Sequence, residues 1–468
     1  MKKKRNIILS ILLLSIIVIV SSYFLINLTI DDDRFIKFKT IIKNKEHRQL
    51  IKKYFFPYKL INVQERRISE QKQFIDSIKP YMINLELAKK DSNTDIKIFE
   101  SSIKLSNNKT LKKYKLNSGF YSGVLLTLPG SGYIDFHEDN IFILSSRGVL
   151  AFRKNLTTDE LKFKQIKNNI DEFIGLEQFN KDRASSLKDL KIIKNKIFIS
   201  YTEEITEDCW NTSIIYGDIN YEKINFNRLF SPKECIHSFN NVDGEFGLHQ
   251  AGGRITNFDN NHILLSVGDY YSRFLAQEKE SVNGKIIKIN INNSSYKIVS
   301  IGHRNPQGLY FDKENNFVLE TEHGPQGGDE INLIEVDKNN ENELLNYGWA
   351  VVSAGEHYGG KNKANEKKYK KYPLYKSHSK YGFIEPLKSF VPSIGISEIT
   401  KIGQNKYAVS SLRDKSLYFF KLNEQREIIN LDRVKVFERI RDLGFNDNKL
   451  YLFMENTASI GVININEN

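Results

Sequence analysis

A chain of 468 residues that is 40% hydrophobic and 27% charged is long enough to bury a large core and too apolar to be a disordered polymer. Its formal charge of +12 comes from lysines scattered among Ile and Asn, and no nucleic-acid motif accompanies them. Nucleic acid is therefore excluded as an expected partner, and the excess reads as solvated surface, including the dense basic stretch from Lys361 to Lys380.

Lys2, Lys3, Lys4 and Arg5 precede an apolar run from Ile7 to Ile30, which Asp31, Asp32 and Asp33 close. A run of that length predicts a single-pass signal anchor over residues 1–33. The basic flank holds the N-terminus inside the cytoplasmic membrane and sends everything after Asp33 to the periplasm or cell exterior. Residues 34–115 follow with helix-like apolar spacing at Ile41, Ile42, Leu50, Ile51 and Tyr54. They predict a helical stalk or cap, interrupted at Pro57 and Pro80 because proline removes a helical hydrogen bond.

Residues 116–468 have a different texture, in which six related segments recur. They begin at Gly132, Lys188, Gly253, Gly308, Ser397 and Arg441, and each reads as an apolar strand, an Asn/Asp-rich turn and a second apolar strand. A further strand pattern follows each hairpin, at Gly148, Ser213, Gly284, Glu330, Ser416 and Ser459. Repeated small sheets at this spacing predict an all-β fold, a six-bladed β-propeller preceded by the transmembrane helix and stalk. Cys209 and Cys235 fall in one segment of the exported region. A disulfide is expected there, with two buried free thiols the alternative.

If the first strand of each hairpin is innermost, the chain entering it and the loop leaving the second strand lie on one face near the axis. The polar residues that stand out occupy those positions. His249, Gln250, Arg304, Asn305, Gln307, Arg439 and Arg441 enter first strands, whereas Asp269, the His323–Glu330 loop, Arg413 and Asp414 leave second strands. One mouth thus gathers a histidine able to take a proton and arginines able to grip an anionic planar group.

The segment Gly302-His-Arg-Asn-Pro-Gln-Gly-Leu, with Glu322-His-Gly-Pro-Gln-Gly-Gly-Asp-Glu-Ile-Asn and Asn346-Tyr-Gly-Trp, resembles the central signature of the glucose/sorbosone dehydrogenases. His249-Gln-Ala-Gly-Gly-Arg-Ile and Ser266-Val-Gly-Asp are similar to the part of that family carrying its catalytic histidine. The resemblance runs from about Ser185 to the C-terminus. It implies oxidation of an aldose to its lactone by pyrroloquinoline quinone (PQQ), with His249 as general base and Arg304 stabilising charge beside the quinone. Asn305, Gln307, Arg413, Arg439 and Arg441 are the implied cofactor-binding residues. Gly324 and Pro325 are the implied carbonyl ligands of a calcium at the cofactor, and Glu330 with Tyr347 match a second, structural calcium site. A quinone or cytochrome is the implied electron acceptor. Two departures stand out: Arg413 replaces the family's lysine, and Arg183-Ala-Ser-Ser-Leu replaces a glutamine-rich loop on the substrate side. A catalytically silent sugar- or protein-binding propeller is the alternative, since ring folds host many functions.

Overall fold

A computed structural model describes residues 15–23, 45–55, 57–117, 119–124, 130–154, 156, 162–336 and 344–465. It divides into two compact units, Met1–Tyr81 and Met82–Asn468. Among the described residues no helix is long and apolar enough to cross a membrane. The expected span from Ile7 to Ile30 lies outside the described residues except for 15–23, which are helical.

The first unit holds the helix Lys45–Phe55 and most of the helix Pro57–Ser92. Pro57 opens the longer helix, at the one position where its missing N–H is harmless. Pro80 lies inside that helix without ending it, contrary to the interruption expected there. Beyond it, Ile83 and Glu86 belong to the second unit and are buried.

The second unit is all-β in its framework, and each recurrent segment forms a hairpin. The innermost strands are Gly132–His137, Leu187–Ile193, Gly252–Asn257, Pro306–Asp312, Ile396–Gly403 and Ile440–Asn446. Each is followed outward by antiparallel neighbours, and each innermost strand packs beside the next in a closed cycle that returns from the sixth to the first. The result is a propeller-like ring of six sheet units. Second strands such as Asn140–Ser145 are buried almost throughout because sheets cover both of their faces. Separate apolar clusters fill the six spaces between neighbouring sheets. At the hairpin tips Asn316, Asn405, Asp447 and Asn448 adopt positive φ, which asparagine and aspartate tolerate.

Residues 96–115, expected in the helical stalk, instead lie in the strands Ile96–Lys104 and Thr110–Leu116. Thr110–Leu116 is the outer strand of the sixth unit, paired with Ser459–Asn464, while Ile96–Lys104 pairs with Lys162–Asn168 of the first. Their alternation of Ile, Leu and Tyr with Lys and Glu is the period of a half-buried strand, masked in sequence by the lysine-rich helix before it. Cys209 and Cys235 form a disulfide with Cα atoms 5.3 Å apart, at the outer strands of the second sheet.

The inner strands face the axis with edge N–H groups that no strand pairs. Side chains of the adjacent unit accept them: Asp442 Oδ2 takes Ile134 N–H at 2.7 Å, Asp135 Oδ2 takes Ile192 N–H at 2.6 Å, and Asp189 Oδ2 takes Ile255 N–H at 2.7 Å. Glu398 Oε1 likewise takes the N–H of Leu309 at 3.2 Å. Arg254 stands among these carboxylates, its guanidinium 2.9 Å from Asp189, 2.7 Å from Asp442 and 3.0 Å from Glu398. It also donates to the carbonyls of Gln307 and Arg441 at 2.7 Å each. Arg254→Met leaves three buried carboxylates without their cation and should lower unfolding free energy by about 3–5 kcal/mol. Urea melts of the two proteins measure this, and a loss below about 1 kcal/mol would show that the ring does not rely on the arginine.

Candidate active site

The entering and leaving loops do converge on one face. A cavity of about 220 Å³ is lined by His249, Gln250, Asn305, Gln307 and Arg441 from entering segments, and by Tyr271, His323 and Leu412 from leaving segments. Lys188 and Tyr358 complete much of its wall. An adjoining cavity of about 550 Å³ shares Tyr271 and Tyr358 and adds Arg304, Pro325, Arg273 and Trp349.

His249 sits in the short 3-10 turn Leu248–Gln250. Gly268 lets this turn approach the strand end, because a Cβ there would lie 1.8 Å from the Gln250 carbonyl. Asn305 steadies the turn by donating to the His249 carbonyl at 3.2 Å and accepting from Gly252 N–H at 3.1 Å. His249 Nε2 lies 2.9 Å from the Tyr271 hydroxyl. Tyr271 itself has φ of +70°, a left-handed conformation held by Asp269 Oδ1, which accepts its N–H at 2.9 Å. Burial, reinforced by the positive charges of Lys188 and Arg304, brings the His249 pKa down to about 4, so the ring is neutral through the physiological range. Lys188 is pulled down to about 7, by burial first and then by Arg441 and Arg147.

Arg304 is buried and gives Nη1 to the carbonyls of His323 and Gly324, each at 2.8 Å. Its guanidinium lies 5.4 Å from the Trp349 ring centre, and Trp349 Nε1 donates to Asp269 Oδ2 at 2.7 Å. Arg441 donates Nε to Glu455 at 2.7 Å and lies 3.3 Å from Gln307 Oε1. Arg439 is half-buried on the same Glu455, at 3.0 Å, and Arg413 is exposed beside the cavity residue Leu412.

The expected metal ligands are arranged differently from one another. Gly324's carbonyl accepts from Arg304, and Pro325's accepts from Ser393 Oγ at 3.4 Å, so each carbonyl keeps a second lone pair that fits a cation. Glu330 is buried 3.6 Å from His378 Nε2, while Tyr347 donates its hydroxyl to the Leu333 carbonyl at 2.6 Å. An anionic polar ligand suits the mouth better. His323 Nε2 is buried there without a protein partner beside Lys188 and Arg441, Arg304 Nε is likewise unpartnered at the adjoining cavity, and Gln250 Oε1 is an unpartnered acceptor suited to a ligand hydroxyl.

Lys188 and Tyr271 were not singled out by the sequence, and His323 only as the start of the His323–Glu330 loop, although Lys188 and His323 stand at the repeat positions that supply the others. The departing loop at Arg183 is tied down by buried Arg147, which donates to the Arg183 carbonyl at 2.7 Å and also to that of Ser185.

The glucose/sorbosone dehydrogenase family model matches residues 185–461, more than half of the chain. An aldose sugar dehydrogenase of Escherichia coli is 24% identical over 291 residues, 56% of this chain and 71% of that protein. An uncharacterised protein of Synechocystis is 29% identical over 227 residues, 42% of this chain and 51% of its own, so the chain spans about half of that relative. Among solved structures, the soluble aldose sugar dehydrogenase of Escherichia coli superposes with a TM-score of 0.56 at 21% identity, covering 71% of this chain and 95% of that one. The PQQ-bound aldose sugar dehydrogenase of Streptomyces coelicolor gives 0.53 at 16% identity, covering 72% and 95%. At these identities the structures establish the shared fold.

His249 should therefore titrate far below the ordinary 6.5, with an NMR midpoint near pH 4. Lys188→Met removes a neighbouring positive charge and should raise that midpoint; an unchanged midpoint would remove Lys188 from the electrostatic account.

Proposed function

The chain belongs to the glucose/sorbosone dehydrogenase family, and from that premise we propose that it oxidises an aldose sugar to its lactone with PQQ. In this reading the ring is a six-bladed propeller, tethered by the N-terminal segment with its catalytic face outside the cytoplasmic membrane. The observation that carries the proposal is a neutral, mostly buried histidine facing a cavity lined by Lys188, Arg441 and unpartnered polar atoms.

PQQ would supply a quinone able to accept hydride from the sugar carbon. Arg441, Gln307 and Asn305 would hold it, with Arg413 and Arg439 reinforcing the positive rim. Arg304 would stabilise the negative charge that grows as hydride leaves the sugar. His249 would take the hydroxyl proton at Nε2, the nitrogen now meeting Tyr271, so the sugar hydroxyl replaces the tyrosine contact. Tyr271 and Trp349 would exclude water and offer apolar faces to the sugar. Calcium would be held by the Gly324 and Pro325 carbonyls through their remaining lone pairs, and a second calcium at Glu330 and Tyr347 would be structural. The electron acceptor would be a quinone or a cytochrome.

The test is reconstitution of the purified chain with PQQ and calcium, followed by dye reduction across a panel of aldoses. His249→Ala should lose about 10²- to 10⁴-fold in turnover while PQQ titrates at its original concentration. Arg441→Ala should demand more PQQ. Wild-type turnover in His249→Ala at saturating PQQ would overturn the mechanism, and no activity with any aldose would overturn the substrate class. Protease added to intact spheroplasts should digest the ring, and complete protection would place it inside instead.

A further inference from the structure

Two clusters of buried acidic side chains are comparable in composition and opposite in compensation. Asp189, Glu398 and Asp442 surround Arg254, which supplies their cation. Behind the mouth, Glu320, Glu322 and Glu330 are also buried, and among the described residues no lysine or arginine forms an ion pair with Glu320. What faces Glu320 and Glu322 is His303, which is fully buried.

The His303 ring is held from two sides. Its Nε2 meets Ser300 Oγ at 2.8 Å, and the ring stacks on Tyr347 with centroids 4.9 Å apart. Its Nδ1 has no hydrogen-bond partner and lies 3.9 Å from Glu320 Oε2 and 3.8 Å from Glu322 Oε2. Those separations are too long for hydrogen bonds. Glu320 Oε1 and Asn332 Oδ1 are likewise buried without partners, although Asn332 Nδ2 donates to Glu320 Oε2 at 3.0 Å. Several unsatisfied atoms around uncompensated carboxylates are expensive in a dry interior, and one small cation would satisfy them together.

We infer that His303, Glu320 and Glu322 hold a divalent cation of the zinc or manganese class, with Asn332 as an adjacent oxygen donor. The ligand atoms lie within 4.8 Å of one another, so contraction by a few tenths of an ångström around a shared ion suits bonds of about 2.0–2.2 Å. A ring nitrogen with carboxylate oxygens favours a borderline metal over calcium, which takes oxygen ligands. The site uses neither the carbonyls of Gly324 and Pro325 nor the pair Glu330 and Tyr347. Glu322 Oε2 also accepts the Arg304 N–H at 2.7 Å, so the ion steadies the backbone that presents Arg304 and Asn305 to the mouth. The inference does not depend on the sugar-oxidising reading.

Elemental analysis of the full chain, purified without chelator, tests it. Wild type should retain about one equivalent of zinc or manganese, and Glu320→Gln and His303→Gln should each lose it with calcium content unchanged. Glu320→Gln is nearly isosteric and removes a charge from an uncompensated cluster, so it should keep its fold. Metal-stripped wild type should melt at a higher temperature after zinc or manganese is added, and Glu320→Gln should not. Equal metal content in wild type and variants overturns the inference, as does calcium as the sole bound ion. If Glu320→Gln fails to fold, the wild-type melting shift decides, and its absence with both metals overturns the assignment.

Discussion

The unpaired N–H groups along the inner strand edges are the constraint on which the rest of the second unit depends. A sheet edge left open toward the axis cannot be extended by another strand, and its N–H groups still need acceptors. This chain meets the constraint between units. Asp442, Asp135, Asp189 and Glu398 each accept from the neighbouring strand, and hydroxyls such as Ser200 and Ser397 donate to carbonyls across the same seams. Concentrating carboxylates at an axis then requires a cation, and Arg254 is that cation. Because the same guanidinium holds the carbonyls of Gln307 and Arg441, the seam at the axis and the wall of the mouth are parts of one hydrogen-bonded network.

That network explains how a neutral histidine persists beside so many positive groups. Arg441 is anchored on Glu455, Arg304 on the His323 and Gly324 carbonyls, and Lys188 on the carbonyls of Ala184 and Leu248. The cations are fixed by acceptors behind them, so their fields reach His249 without their side chains collapsing onto it. An anion entering the mouth meets positive groups already positioned, which lowers the reorganisation needed on binding.

Much of this was legible in the sequence because a repeated hairpin leaves a period that survives divergence. All six hairpins fall where the recurrent segments place them, and the rule that entering and leaving segments share a face brought His249, Asn305, Gln307 and Arg441 to one cavity. Arg413 and Arg439 show the limit of that rule: it locates a backbone position, but a long side chain chooses its own direction. Arg254 was hidden because a lone arginine in an apolar strand has no local partner, its carboxylates being supplied by other units. The strands at residues 96–116 were obscured for a related reason. Outside their own hairpin their partners are Ser459–Asn464 and Lys162–Asn168, and nothing near them in sequence signals that pairing.

That pairing also orders events during synthesis. Lys112 leaves the ribosome long before its strand partner, Val462, has been made. Until then Thr110–Leu116 can pair only with Ile96–Lys104, and the hairpin must wait with one edge open while five units and most of a sixth assemble beside it. Ring closure is thus a late, long-range step that carries a large loop-closure entropy. The lysines at positions 112, 113 and 115 give the waiting edge a charged character that discourages pairing with other nascent chains. In translation, the strand that completes the circle is also the one most in need of protection from completing the wrong one.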